Sequence, residues 1–164
     1  MLKRRVWYWR HILKIIARQN KKREVRVNVL GQWEKYFPLE VREAINKARE
    51  ATMDYQTRNL NFLLVYNGID EMMGAIQAIT DGGKGQKVRV TKKLIKQHLL
   101  TRDLPAVDLV IRTGGEPHLS NGFMMWDVAD AELYFTDKYW PAFGTEDFQQ
   151  ALDDFAGRRR RRGE

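Results

Sequence analysis

The residues best suited to chemistry sit after an apolar run. Arg112-Thr113-Gly114-Gly115-Glu116 follows Val107 to Ile111. Arginine presents a planar, permanently charged fork that matches phosphate oxygens in pairs. Two glycines without Cβ let backbone amides approach an anion. By residue type and spacing this is a diphosphate cradle, although a strand that ends in arginine and two glycines is also an ordinary turn. Downstream come His118-Leu119-Ser120-Asn121, then Trp126 and Asp127, then Ala131-Glu132-Leu133-Tyr134-Phe135-Thr136-Asp137 and Trp140-Pro141. Taken singly, Ser120 reads as a helix cap and Glu132 as a surface carboxylate.

The elements that must position these residues are legible from periodicity. Trp9, Ile12, Leu13 and Ile16 fall at i, i+3, i+4, i+7 and predict an amphipathic helix over 6–18. Val25, Val27 and Val29 alternate with polar residues up to Gly31, the pattern of a half-buried strand. Pro38 opens a helix with Val41, Ala44, Ile45 and Ala48 on one face, ending near Thr52. Leu60 to Tyr66 reads as a strand covered on both faces. A helix is predicted over 70–79, and 80–85 is a glycine-rich loop too short to separate domains. Thr91 caps a helix through about Leu100, before the buried strand 107–111. Further on, Phe123 to about Ala131 is helical by spacing and Leu133 to Thr136 strand-like. Thr145 caps a last helix with Phe148, Ala151, Leu152 and Phe155 inward. Helices alternating with short apolar strands predict one α/β domain with a parallel sheet, whose ligands bind at the carboxyl ends of strands.

Composition bounds the partners. The 164 residues contain 43% apolar side chains, enough for one domain with a core, and no cysteine, which excludes disulfide and thiolate-metal chemistry. The expected compartment is the cytoplasm. A net charge of +8 indicates an anionic partner, and the basic residues gather in 3–26, in 84–97 and in the tail 158–164 with its run Arg158 to Arg162.

On the motifs from Asp108 to Trp140, the chain resembles the cis-prenyltransferases, the undecaprenyl diphosphate synthase family. Weaker similarity runs back through Tyr66-Asn67-Gly68 and Leu60-Asn61-Phe62 to about residue 6. The resemblance implies that Arg112 and Ser120 hold the diphosphate of isopentenyl diphosphate, with Thr113, Gly114, Gly115 and His118 around it. It implies that Glu132 is the acidic residue near the magnesium ion, a suitable ligand for a hard cation. It matches Arg161-Arg162-Gly163 to a terminal Arg-X-Gly element that reaches a partner's diphosphate site across a dimer interface, so Arg161 and Gly163 join the candidate site. The catalytic set implied is Arg112, Ser120 and Glu132.

The chain also departs from the family pattern. His118 stands where a second arginine is usual, one additional residue lies around Gly122, and Asn67 and Ile69 replace a glycine and an arginine. Histidine carries less positive charge than arginine at neutral pH. No Asp-Gly-Asn-Gly-Arg-Trp-like segment is present, the loop that in the family holds the allylic diphosphate and the principal magnesium aspartate. The expectation is therefore a partial cis-prenyltransferase-like α/β sandwich over 1–164, lacking the N-terminal strands and that loop, and inactive alone. It leaves a sheet edge and part of an apolar tunnel uncovered, which calls for a partner. The function expected is that of one subunit of a heteromeric enzyme elongating an allylic diphosphate, whose companion supplies the aspartate loop and shares Mg2+.

Two other readings are open. A noncatalytic subunit could stabilise a complete cis-prenyltransferase and regulate it through the tail. An RNA-binding protein is suggested by the tail, the charge and Trp7, Tyr8 and Trp9 among arginines, although no nucleic-acid motif is present. The N-terminal helix also suits a peripheral membrane contact.

Overall fold

The computed structural model describes residues 24–158, and the chain divides into two compact units, Met1–Asn67 and Gly68–Glu164. The helix predicted over 6–18, the tail beyond Arg158, and with it Arg161 and Gly163, lie outside the described residues.

The first unit contains β1 (Val25–Leu30), a one-turn helix α1 (Trp33–Tyr36), α2 (Leu39–Glu50) and β2 (Arg58–Leu63). The strands are parallel, from Val25 opposite Arg58 to Leu30 opposite Leu63. Parallel strands need a long crossover, and α2 provides it. The alternation read in the sequence is realised: Val27 and Val29 point inward and pack with Trp33, Val41 and Ile45. On α2, Val41, Ile45 and Ala48 are buried at i, i+4 and i+7, the face its spacing predicts. Thr52 closes this core. Its hydroxyl accepts the Val27 N–H at 3.0 Å and donates to the Ala48 carbonyl at 2.9 Å, so a strand amide in an apolar setting has a partner. Gly31 turns the chain out of β1 with φ +106°.

The second unit contains α3 (Gly68–Gly82), α4 (Lys92–His98), β3 (Leu109–Thr113), β4 (Glu132–Thr136) and α5 (Thr145–Gly157). Ala75, Ile79, Leu99, Met124, Val128 and Ala151 are its buried apolar residues. Thr91 caps α4 as predicted, its hydroxyl accepting the Leu94 N–H at 3.1 Å. β3 and β4 are parallel, from Leu109 opposite Glu132 to Thr113 opposite Thr136. The architecture is thus α/β with parallel strands. Among the described residues the strands form two parallel pairs, β1–β2 and β3–β4, where the sequence suggested one sheet.

Three local expectations are corrected. Residues 123–131 form successive turns instead of a helix. Asn121, Gly122 and Met124 have φ of +50°, +58° and +45°, and a right-handed helix cannot carry left-handed residues. The apolar spacing there reflects burial of Met124 and Val128 within turns. Phe148 is 47% exposed, so burial on α5 centres on Ala151. The N-cap of α5 is Gly144, with Thr145 as its first helical residue. Threonine there does not cap. Instead the Asp147 carboxylate reaches back to accept the Gly144 N–H at 2.9 Å.

Asp147 also pairs with Lys138. The Lys138 hydrogen bond, and then the Gly144 amide, hold the Asp147 carboxyl below its ordinary 3.8, while Asp147 raises the Lys138 ammonium above 10.5. A depressed acid contributes stability above its unfolded pKa and loses it as pH falls through the folded value. The lysine contributes below 10.5 and loses it as pH rises through its raised value. An NMR titration should therefore place the Asp147 midpoint below 3.8, and Lys138→Met should move it upward. An Asp147 midpoint unaffected by that change would refute the pairing in solution.

Candidate functional site

Arg112 is the penultimate residue of β3, and the chain turns sharply just beyond it. Its Nη2 donates to Glu116 Oε2 at 2.5 Å, and its Nε is buried with no partner among the described residues. Buried N–H groups are seldom left unpaired. The guanidinium therefore has donor capacity in reserve beside an exposed carboxylate. His118 Nε2 lies 3.5 Å from the same Glu116 oxygen, so two basic side chains converge on one acidic group.

The glycines do a different job from the one expected. Gly114 and Gly115 have φ of +98° and +74°, which side chains rarely adopt. Their amides are committed: Gly114 N–H donates to the Lys138 carbonyl at 2.9 Å and Gly115 N–H to the Thr136 carbonyl at 3.0 Å. The backbone cradle read from the sequence is thus corrected. These amides tie the end of β3 to the chain leaving β4, and the left-handed turn brings Glu116 back to Arg112. Thr113 ends the strand opposite Thr136.

Ser120 is exposed and opens a one-turn 3-10 helix, Ser120–Gly122, its carbonyl accepting the Phe123 N–H at 3.0 Å. Glu132 begins β4 opposite Leu109, three register positions from Arg112. At about 3.3 Å per residue that offset is roughly 10 Å along the strands. Side chains alternate between faces, so an odd offset also places Glu132 and Arg112 on opposite faces of the β3–β4 pair. Arg112 and Glu132 therefore do not stand side by side on one face of the β3–β4 pair.

The sequence reading missed the partner of Glu132. Arg158, the first of the five consecutive arginines, donates from Nη1 to Glu132 Oε2 and to the Leu133 carbonyl, both at 3.1 Å, and pairs with Asp154 at 2.6 Å. Glu132, and then Asp154, hold its guanidinium above the usual arginine range. The i, i+4 spacing of Asp154 and Arg158 was readable on a helix; the pairing across 26 residues was not. Among the described residues no group of three metal-ligating side chains could enclose an ion, and Glu132 is already engaged by Arg158.

An apolar cleft of about 430 Å³ lies in the same unit, lined by Ile111, Trp140, Phe143, Gly144, Thr145 and Phe148. Ile111 and Arg112 are successive strand residues, so the cleft and the arginine fork belong to opposite faces of β3.

The family model for undecaprenyl diphosphate synthases, a prenyltransferase family, matches residues 6–163. The chain belongs to that family. This prenyltransferase-family chain is 40% identical over 142 residues to an isoprenyl transferase of Bacillus anthracis, covering 85% of the chain and 54% of that relative. It is 37% identical over 169 residues to an isoprenyl transferase of Deinococcus radiodurans, covering 93% of the chain and 61% of the relative. The chain thus spans little more than half the length of the curated relatives it matches. Among solved structures, lavandulyl diphosphate synthase from Lavandula x intermedia, in complex with dimethylallyl diphosphate, superposes with a TM-score of 0.88 at 25% identity. That match covers 97% of this chain and 70% of the synthase. The parallel α/β arrangement is therefore the family's own. No helix among the described residues is long and apolar enough to cross a membrane.

Proposed function

We propose that this chain supplies the isopentenyl-diphosphate side of a cis-prenyl transfer that elongates an allylic diphosphate. The observation that carries the reading is Arg112, with an unpartnered buried Nε and its Nη2 on an exposed, displaceable carboxylate. An incoming diphosphate replaces Glu116 on the fork and brings more acceptor oxygens than one carboxylate. Ser120 and His118, in the exposed segment after the glycine turn, add donors to the same anion.

Ionising the allylic partner requires cationic groups or a metal on its leaving diphosphate. Polypeptide outside these 164 residues supplies them, in our reading a companion chain carrying an aspartate loop. Mg2+ then belongs mainly to that companion, with Glu132 as one further carboxylate once it is released from Arg158. Ile69, Met73 and Ile76, exposed at i, i+4 and i+7 on α3, favour such a companion.

The commitment of both glycine amides and the Glu132–Arg158 pair favour a second reading, a stabilising subunit without chemistry. Calorimetric titration of the full 164-residue chain separates the two. Saturable binding of isopentenyl diphosphate, weaker for the monophosphate, is expected from a diphosphate half-site. No heat with either ligand would leave the stabilising subunit as the better account. Co-purification with a chain bearing the aspartate loop, followed by an isopentenyl transfer assay, tests the heteromer.

A further inference from the structure

A second, partly buried cluster of charged groups centres on the residue that ends the turns after Ser120. Asp127 follows the turns that begin at Ser120, and its side chain is 3% exposed. Its Oδ1 accepts a hydrogen bond from Lys96 of α4, while its Oδ2 is buried without a partner among the described residues. Lys96 Nζ also donates to the Thr101 carbonyl at 2.7 Å. Thr101 is fully buried, and its N–H donates to Glu71 Oε1 of α3 at 2.9 Å. The Asp127 backbone works in two further directions. Its carbonyl accepts the Val107 N–H at 2.8 Å, on the approach to β3, and its N–H donates to the Met124 carbonyl at 2.8 Å.

One residue thus joins α4, the approach to the arginine-bearing strand and the turns after Ser120. Those turns contain three left-handed residues and, beyond the single 3-10 turn at Ser120–Gly122, no helix, so local hydrogen bonding alone constrains them weakly. A buried ion pair with an orphaned oxygen is a poor source of stability, because well-packed apolar residues often do as well or better. What such a pair supplies is a fixed geometry. We propose that Lys96 and Asp127 are positioning residues that hold the Ser120 segment in register with Arg112, so that both meet one diphosphate.

The inference rests on the isopentenyl-diphosphate reading, and the experiment separates the two. Isopentenyl diphosphate is titrated calorimetrically into the full chain carrying Asp127→Asn, and into the double variant Lys96→Met/Asp127→Leu, with thermal melting recorded for each. The double variant removes both charges together, so its melting temperature should match the parent. Both variants should lose affinity roughly tenfold, about the effect of losing one hydrogen bond from the Ser120 segment to a charged ligand. Lys96→Arg, which preserves the pair, should retain parental affinity. Parental affinity in either folded variant overturns the inference when Arg112→Ala weakens binding. Unchanged affinity in Arg112→Ala overturns the diphosphate reading itself.

Discussion

Arg112→Ala should weaken isopentenyl diphosphate binding by roughly 30- to 150-fold, with little change in melting temperature. Hydrogen bonds to charged groups are worth about 1.5–3 kcal/mol each in net terms, and every 1.4 kcal/mol is tenfold in affinity. The loss at Arg112 is about 2–3 kcal/mol, toward the upper end of that range, because a fork can place two donors on one diphosphate. Stability changes little because the partner left behind, Glu116, is 59% exposed and is resolvated by water. Arg112→Lys should fall between, since it keeps the charge and loses the planar fork. Glu116→Gln removes the carboxylate that competes for the guanidinium and should strengthen binding by up to about fivefold, the scale of an exposed ion pair. Weaker binding in Glu116→Gln would show that the carboxylate helps to hold the ligand instead of yielding to it.

Gly31→Ala should be the most destabilising small substitution in the first unit, at about 3 kcal/mol or more by urea unfolding. A Cβ at this position would lie 2.2 Å from the Leu64 carbonyl oxygen and 3.1 Å from its carbon. Both are backbone atoms, so no side-chain rotation relieves the clash. The φ of +106° lies beyond even the left-handed helical basin that asparagine visits. Relief would have to separate the ends of β1 and β2, where Leu64 N–H donates to the Leu30 carbonyl at 2.9 Å and Gln32 N–H to the Val65 carbonyl at 3.2 Å. Gly74, inside α3 with nothing within 4 Å of its Cβ position, is the control. Gly74→Ala should stabilise by about 0.5–1 kcal/mol through helix propensity alone. Equal effects of the two substitutions would mean that the contact at Gly31 is relieved in solution.

Much of the fold was legible because its causes are local. The valine alternation before Gly31 gave β1, the spacing of Val41, Ile45 and Ala48 gave α2, and Thr91 marked the start of α4. The reading failed where one pattern has two physical causes. Phe123, Met124 and Val128 have helical spacing, yet the three left-handed residues nearby force turns in which Met124 and Val128 are buried all the same. Thr145 is a capping type of residue, but Asp147 binds the Gly144 amide from three positions on, so the cap falls one residue earlier.

The same division holds for the candidate site. The sequence by itself placed an arginine fork at the carboxyl end of a strand and assigned the segment after it to a prenyltransferase-like pattern. Residue types and spacings of a few positions determine both. Tertiary structure alone decided that the Gly114 and Gly115 amides serve the β3–β4 connection, that Glu132 faces away from Arg112 toward Arg158, and that Lys96 reaches Asp127 across 31 residues. Hydrogen-bond satisfaction and charge pairing depend on which groups the packed chain brings together, and no local period encodes a partner 26 or 31 residues away. The anion fork identified at Arg112 is therefore a sequence property, whereas the support that keeps its neighbours in place belongs to the fold.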